Sequence, residues 1–210
     1  MYYLFFKRFF DIFLSIIAIT ISFPFLLIIS IVISFDSPGP IIYKGVRSAL
    51  NRGTFKIYKF RTMVNNAENK GGFSTANSDP RVTRVGIFLR KYKLDELPQF
   101  FNVLNGEMSL VGPRPQVLYY TDKYTDKESV ILSVKPGITD LASLYFSSMD
   151  QTLGDVDVDQ KYESEIEPIK NILRIRYAQE RTFLMDMRIL IETACNLAGI
   201  ENITKLNIEP

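Results

Sequence analysis

Residues 89 to 116 read Leu-Arg-Lys-Tyr-Lys-Leu-Asp-Glu-Leu-Pro-Gln-Phe-Phe-Asn-Val-Leu-Asn-Gly-Glu-Met-Ser-Leu-Val-Gly-Pro-Arg-Pro-Gln. Two adjacent carboxylates, Asp95 and Glu96, stand here between the cations Arg90, Lys91 and Lys93 and the proline-flanked Arg114. Leu97, Phe100, Phe101 and Leu104 recur at i, i+3, i+4 and i+7, which predicts a helix with one buried face. Leu94 is placed as a staple residue, Asp95 as its N-cap, and Pro98 falls in the first turn, where no backbone donor is needed. Gly106 closes the helix. On this reading the helix N-terminus keeps Asp95 ionised and favours a phosphate beside it. An ionised carboxylate among cations at such a site is suited to attack a phosphoryl group. The plainer alternative is ordinary capping chemistry, because Asp and Glu are common at helix starts.

Working outward, Gly112-Pro113-Arg114-Pro115 forms a rigid turn after a strand at 108 to 111, and it holds the Arg114 guanidinium in place. Upstream, Ile41 to Tyr43 and Phe55 to Phe60 read as short strands. Residues 65 to 80 are a polar, Gly-rich loop, and 82 to 92 suits either a helix in the membrane interface or an ordinary core helix. Downstream, Tyr162 to Arg181 is a charged helix interrupted at Pro168. A further helix, Thr182 to Leu197, carries Phe183, Met187, Leu190 and Ala194 at helical spacing. Asp186, Arg188 and Glu192 keep that helix from spanning a membrane. Asp155, Asp157 and Asp159 fail as a calcium loop, because its sixth position is Gln160 and its twelfth Ile166.

The N-terminus is of another character. Ile12 to Phe35 is a 24-residue run without a charge. As a straight helix it would reach roughly 36 Å, enough for a bilayer core of about 30 Å. Pro24 interrupts it by removing a backbone donor opposite the Thr20 carbonyl, and the hydroxyls of Thr20 and Ser22 can serve carbonyls freed there. Lys7 and Arg8 precede the run while Lys44, Arg47 and Arg52 follow it, so flanking charge gives no direction for crossing. A helix that enters, bends at Pro24 and returns to the same face meets both constraints. A simple span is the alternative.

Composition narrows the chemistry. The 210 residues contain no histidine and one cysteine, Cys195, which rules out histidine bases, intrachain disulfides and Cys-cluster metal sites. Residues 1 to 114 carry 15 Lys/Arg against 7 Asp/Glu, whereas 115 to 210 carry 10 against 16. The basic half fits anionic lipid head groups, a lipid phosphate or a nucleotide diphosphate. No nucleic-acid-binding motif accompanies it, and nucleic acid is not an expected partner.

The Leu-Asp-Glu-Leu-Pro-Gln and Asn-Val-Leu-Asn-Gly-Glu-Met-Ser-Leu-Val-Gly-Pro-Arg-Pro runs, with Phe-Lys-Ile-Tyr-Lys-Phe-Arg-Thr-Met at 55 to 63, resemble the bacterial sugar transferases. These are the monotopic polyprenyl-phosphate phosphoglycosyl transferases. The likeness extends from Lys7-Arg8 to the run at 186 to 193. It implies a mainly helical α/β protein, with a re-entrant membrane helix over 1–36 and a cytosolic, membrane-associated catalytic domain over 37–210 built of interfacial helices and short strands. It also implies transfer of a sugar-1-phosphate from a UDP-sugar to polyprenyl phosphate at the cytoplasmic face of a bacterial plasma membrane. Asp95 would be the nucleophile and Glu96, with Asp95, would bind Mg²⁺. On the residues' own chemistry, Lys59, Arg90 and Arg114 are expected to hold phosphate and Lys7 and Arg8 the lipid head group. Ser22 and Pro24 would form the helix break.

Two departures stand out. The family has a Ser-Pro pair at the break where this chain has Ser22-Phe23-Pro24, and it usually has Gly after the Thr where this chain has Asp140. Two other functions fit parts of the sequence: a membrane-docked scaffold for glycan-assembly proteins, and a lipid diphosphatase with water as acceptor. The sugar, the polyprenol, the uracil-binding residues and the oligomeric state are not legible.

Overall fold

One apolar helix, α1 (Tyr2–Asp36), has both of its halves packed on the rest of the chain and its middle projecting from it. The computed structural model describes residues 2–67, 79–147, 158–200 and 208. Most of the loop read at 65 to 80, and Asp155 and Asp157 of the acidic run, lie outside them.

After α1 comes an antiparallel hairpin, β1 (Ile42–Ser48) and β2 (Thr54–Phe60), with Ile42 opposite Phe60 and Gly45 opposite Ile57. Next are α2 (Arg84–Lys91), a 3-10 turn (Leu94–Glu96), α3 (Gln99–Leu104) and β3 (Ser109–Val111). Then follow α4 (Leu118–Thr121), β4 (Gly137–Thr139), α5 (Leu141–Ser147), α6 (Val158–Lys161), α7 (Glu167–Glu180) and α8 (Phe183–Leu197). β3 and β4 pair in parallel, Ser109 with Gly137 and Val111 with Thr139. The protein is therefore mainly helical with few short strands, as the pattern predicts.

The main core gathers Val103, Met108, Val111, Leu141, Leu173 and Ile189. A second cluster joins Leu26 and Ile33 of α1 to Phe60 and Leu89. Polar anchors fix α1 at both ends. Near its start, Asp11 accepts the Leu110 amide at 3.0 Å, and the Arg8 guanidinium donates to the Val103 and Leu104 carbonyls at 2.6 and 2.9 Å. Those carbonyls end α3, where a cation is favoured. Past the far end, Arg61 donates to the Ser37 carbonyl and hydroxyl. Between the anchors, Ile16, Ile21, Phe23 and Phe25 are exposed.

The helical assignment runs through Pro24 without interruption. The Thr20 hydroxyl donates to Ile16 O at 2.8 Å and that of Ser22 to Ile19 O at 3.4 Å. Neither goes to the Thr20 carbonyl that Pro24 leaves without its donor, so their expected role at the break is corrected. Each hydroxyl bonds back one turn on its own helix, the local geometry such side chains favour.

Two expected helix faces are also corrected. On α3 the buried residues are Gln99, Asn102 and Val103, while Phe101 is exposed. Asn102 is wholly buried because its amide replaces a missing strand: it accepts from Tyr58 N at 2.9 Å and donates to Lys56 O at 2.9 Å. On α8 the buried face is Asp186, Ile189 and Glu192, and Leu184, Ile191 and Leu197 point outward. Asp186 is drawn in by Tyr3, Lys7 and Tyr177, at 2.9, 2.8 and 2.7 Å. A helix that buries both of its carboxylates beside Ile189 and exposes Leu184 and Leu197 is oriented by polar pairing as well as by apolar packing.

Candidate active site at the Asp95-Glu96 turn

Three stretches of backbone meet at Glu96. β2 brings Lys59, whose ammonium donates to Glu96 Oε1 at 2.9 Å, and the turn after β3 brings Arg114, whose guanidinium donates to the same oxygen. The 3-10 turn supplies Glu96 itself, with Asp95 beside it and only 7% exposed. Lys93 takes a left-handed φ of 54°, uncommon for a residue with a side chain, and so reverses the chain after α2. This reversal displaces the predicted helix start. α3 begins at Gln99, four residues after Asp95, and Asp95 does not cap it. Gly106, with φ of 82°, follows its end as expected.

Asp95 therefore owes its charge state to burial and neighbouring cations, not to a helix terminus. Burial pushes its carboxyl above the usual range, and Lys59, Arg90 and Arg114 oppose that rise. A carboxylate so raised is more basic once ionised, which suits a nucleophile. Glu96 goes the other way. Burial would lift it as well, but Arg114 and Lys59 outweigh that effect and hold it well below the usual range. Adjacent carboxylates are thus driven apart, the pattern that separates roles in a catalytic pair. Burial lowers the Lys59 ammonium while Glu96 opposes the change, and the Glu96 charge raises the Arg114 guanidinium.

Arg90 approaches from α2. Its Nε donates to Thr62 Oγ1 at 2.8 Å, and burial lowers its pKa. Thr62 is reachable because α2 rests directly on its backbone. A Cβ added at Gly86 would sit 2.1 Å from Thr62 O, so only glycine permits that contact. Arg114 is held from behind by Asp140, whose Oδ2 accepts the Arg114 amide at 3.0 Å. Asp140 is wholly buried, also accepts Ser143 N at 2.7 Å and lies 3.9 Å from Arg174. The residue where this chain departs from the family pattern thus supports Arg114. The sequence signals for Gly86, Thr62, Asn102 and Asp140 were single residues with no periodicity, and only the fold gives them a role.

Lys59, Arg90, Asp95, Glu96 and Arg114 are brought together. Lys7 and Arg8 are not. The three donors of the Lys7 ammonium go to Val111 O, Tyr177 and Asp186, at 2.9, 3.3 and 2.8 Å, and Arg8 serves α3. Both cations dock α1 to the domain, with the three donors of the Lys7 ammonium and two of the Arg8 guanidinium directed to partners inside the protein.

Among the described residues no three His, Cys, Asp or Glu cluster as a metal site. Mg²⁺ needs less than that, because it binds through one or two carboxylates and completes its shell with water and substrate phosphate. Asp95 accepts no side-chain hydrogen bond from the described residues, and the cations on Glu96 converge on one oxygen, so the pair fits such an ion.

The sequence model of the family described as "Bacterial sugar transferase" matches residues 2–199. The chain is 40% identical over 167 residues to an Aeromonas hydrophila UDP-N-acetylgalactosamine-undecaprenyl-phosphate N-acetylgalactosaminephosphotransferase, covering 76% of this chain and 39% of the relative. It is 43% identical over 125 residues to a putative undecaprenyl-phosphate N-acetylgalactosaminyl 1-phosphate transferase of Bacillus subtilis, covering 60% of this chain and 70% of that protein. Against the Escherichia coli UDP-glucose:undecaprenyl-phosphate glucose-1-phosphate transferase it is 36% identical over 190 residues, 89% of this chain and 39% of the relative. The chain thus spans well under half the length of the first and third of these proteins.

The Asp95 environment sets a pH dependence. If only the ionised carboxylate reacts, activity falls as pH drops through the Asp95 pKa. Lys59 lowers that pKa, so Lys59→Met should move the acid limb of the kcat/KM profile to higher pH. An acid limb that stays in place in the variant contradicts this electrostatic assignment.

Proposed function

The chain belongs to the bacterial sugar transferase family, and we propose that it moves a sugar-1-phosphate from a UDP-sugar to polyprenyl phosphate, releasing UMP, as the first membrane step of glycan assembly. The observation that carries this reading is Asp95: buried, raised in pKa, and flanked by a Glu96 neutralised by Lys59 and Arg114.

Both substrates are anionic, and direct attack of one phosphate on the other works against their repulsion. A covalent route admits one at a time. Asp95 attacks the β-phosphorus of the donor, the bond to the bridging oxygen breaks, and UMP leaves with its electron pair. The polyprenyl phosphate oxygen then attacks the same phosphorus and expels the Asp95 carboxylate, giving polyprenyl-diphosphate sugar. Arg90 and Arg114 offer guanidinium donors to the phosphoryl oxygens, and Lys59 adds a point charge. Mg²⁺ bound by Glu96 with Asp95 would supply further neutralisation of the diphosphate.

The lipid acceptor calls for a membrane face, and the exposed apolar residues supply one. Ile87, Phe88 and Tyr92 of the α2 region, Phe101 of α3 and Leu184, Ile191 and Leu197 of α8 are outward, as is the middle of α1. Both ends of α1 are anchored to one domain, with Lys7, Arg8 and Asp11 at one end and Ser37 at the other. A bilayer cannot separate two ends held on the same body, so we read α1 as entering and leaving one face, the cytoplasmic one.

Two experiments follow. UMP release should turn over only when polyprenyl phosphate is present, and Asp95→Asn should reduce it by on the order of 10⁴ or more while the protein stays membrane-bound. Sustained release to water alone would mark a diphosphatase, and substantial activity in Asp95→Asn would remove the nucleophile. For topology, Leu4→Cys in a Cys195→Ser background should stay protected from an impermeant thiol reagent on intact cells. Labelling from outside would establish a true span.

A further inference from the structure

Beyond Arg114 lies a cation that the chemistry at Asp95 does not use. Lys170, on α7, places its ammonium 4.7 Å from the Tyr162 ring centroid and 5.1 Å from that of Phe146. Among the described residues it has no ion-pair partner. One helical turn later Arg174 is paired with Glu167 and Asp140, at 3.3 and 3.9 Å, and Asp140 also holds the Arg114 amide. The Tyr162 hydroxyl contacts Gln116, two residues past Arg114, at 3.3 Å. Tyr162 through Gln116, and the neighbouring Arg174 through Asp140, are therefore tied to the strip of chain that presents Arg114.

A half-buried ammonium with guanidinium groups nearby is in an unfavourable place. Burial, and then the Arg174 charge, lower it to about 8, with Asp140 and Glu167 only partly opposing the change. An anionic ligand would offset both effects. Position selects which anion. α1 packs on α2, α3 and α8, which carry exposed Ile87, Phe88, Phe101, Leu184 and Ile191, whereas the Lys170 helix packs chiefly on the turns at 128–133 and 162–166 and on α5. A lipid phosphate arrives from the first side. The second is left to the water-soluble donor, whose nucleotide has a phosphate for the ammonium and a flat base for an aromatic ring.

Resting on the transferase reading above, we propose that Lys170, Phe146 and Tyr162 form the subsite for the nucleoside monophosphate that departs from Asp95, with the phosphate on the ammonium and the base against a ring. Arg114 then stands between the transferred phosphoryl group and the one that leaves.

UMP binding by calorimetry, using the full chain in detergent micelles, tests this. A charge-assisted hydrogen bond contributes about 1.5–3 kcal/mol, so Lys170→Met should weaken UMP by roughly 10- to 100-fold. Lys170→Arg should restore most of the affinity, and the KM for polyprenyl phosphate should not change in either variant. Wild-type UMP affinity in Lys170→Met, with a native melting temperature, overturns the subsite. So does a rise in acceptor KM in place of the loss of UMP. If the wild-type protein itself neither binds UMP nor releases it from UDP-sugars, the transferase reading falls with it.

Discussion

The Glu96 carboxylate, shared by Lys59 and Arg114, is the constraint around which the site is arranged. It ties β2, the 3-10 turn and the turn after β3, three stretches far apart in sequence. Taking two cations at one oxygen holds the Glu96 carboxyl well below the usual carboxylate range and leaves the neighbouring Asp95 as the carboxylate whose basicity burial can raise. Each tie has its own support. Asn102 fastens β2 to α3, Asp140 fixes the Arg114 backbone, and Gly86 lets α2 rest on Thr62 so that Arg90 closes the remaining side. A buried ion pair that loses one partner leaves an uncompensated charge, so these supports and the charge cluster are mutually dependent.

The apolar helix α1 belongs to the same construction. Its first turns are fastened by Lys7 to Val111 O, one residue before Gly112-Pro113-Arg114, and by Arg8 to the end of α3. Its second half packs beside Phe60 and Leu89, which flank Lys59 and Arg90 in sequence. On the proposed reading, an acceptor lipid lying against α1 would meet the phosphate-binding side chains without leaving the membrane surface. The outward leucines of α8 and the outward Phe88 and Phe101 are then ordinary apolar residues in an apolar solvent.

Much of this was legible in the sequence, and the failures have physical causes. Lys59, Arg90, Asp95, Glu96 and Arg114 stood out because charge is concentrated there beside turn-forming residues, and the structure brings all five together. The start of α3 was misplaced because Lys93 accepts a left-handed conformation that composition does not announce. The faces of α3 and α8 were misread because apolar periodicity assumes water outside, while here the interior is organised by Asn102 and Asp186. Lys7 and Arg8 looked like lipid contacts because cations beside an apolar run usually face the interface. Their partners lie 95 to 179 residues away in sequence, Asp186 farthest.

The most direct test of the central claim is the mass of the intact protein after incubation with each of a panel of UDP-sugars and no acceptor. A covalent aspartyl intermediate predicts an increase of one sugar phosphate with the productive donor, mapped to the peptide containing Asp95 and discharged by polyprenyl phosphate. An unchanged mass, in protein that turns over normally once acceptor is supplied, would contradict it and point to direct displacement.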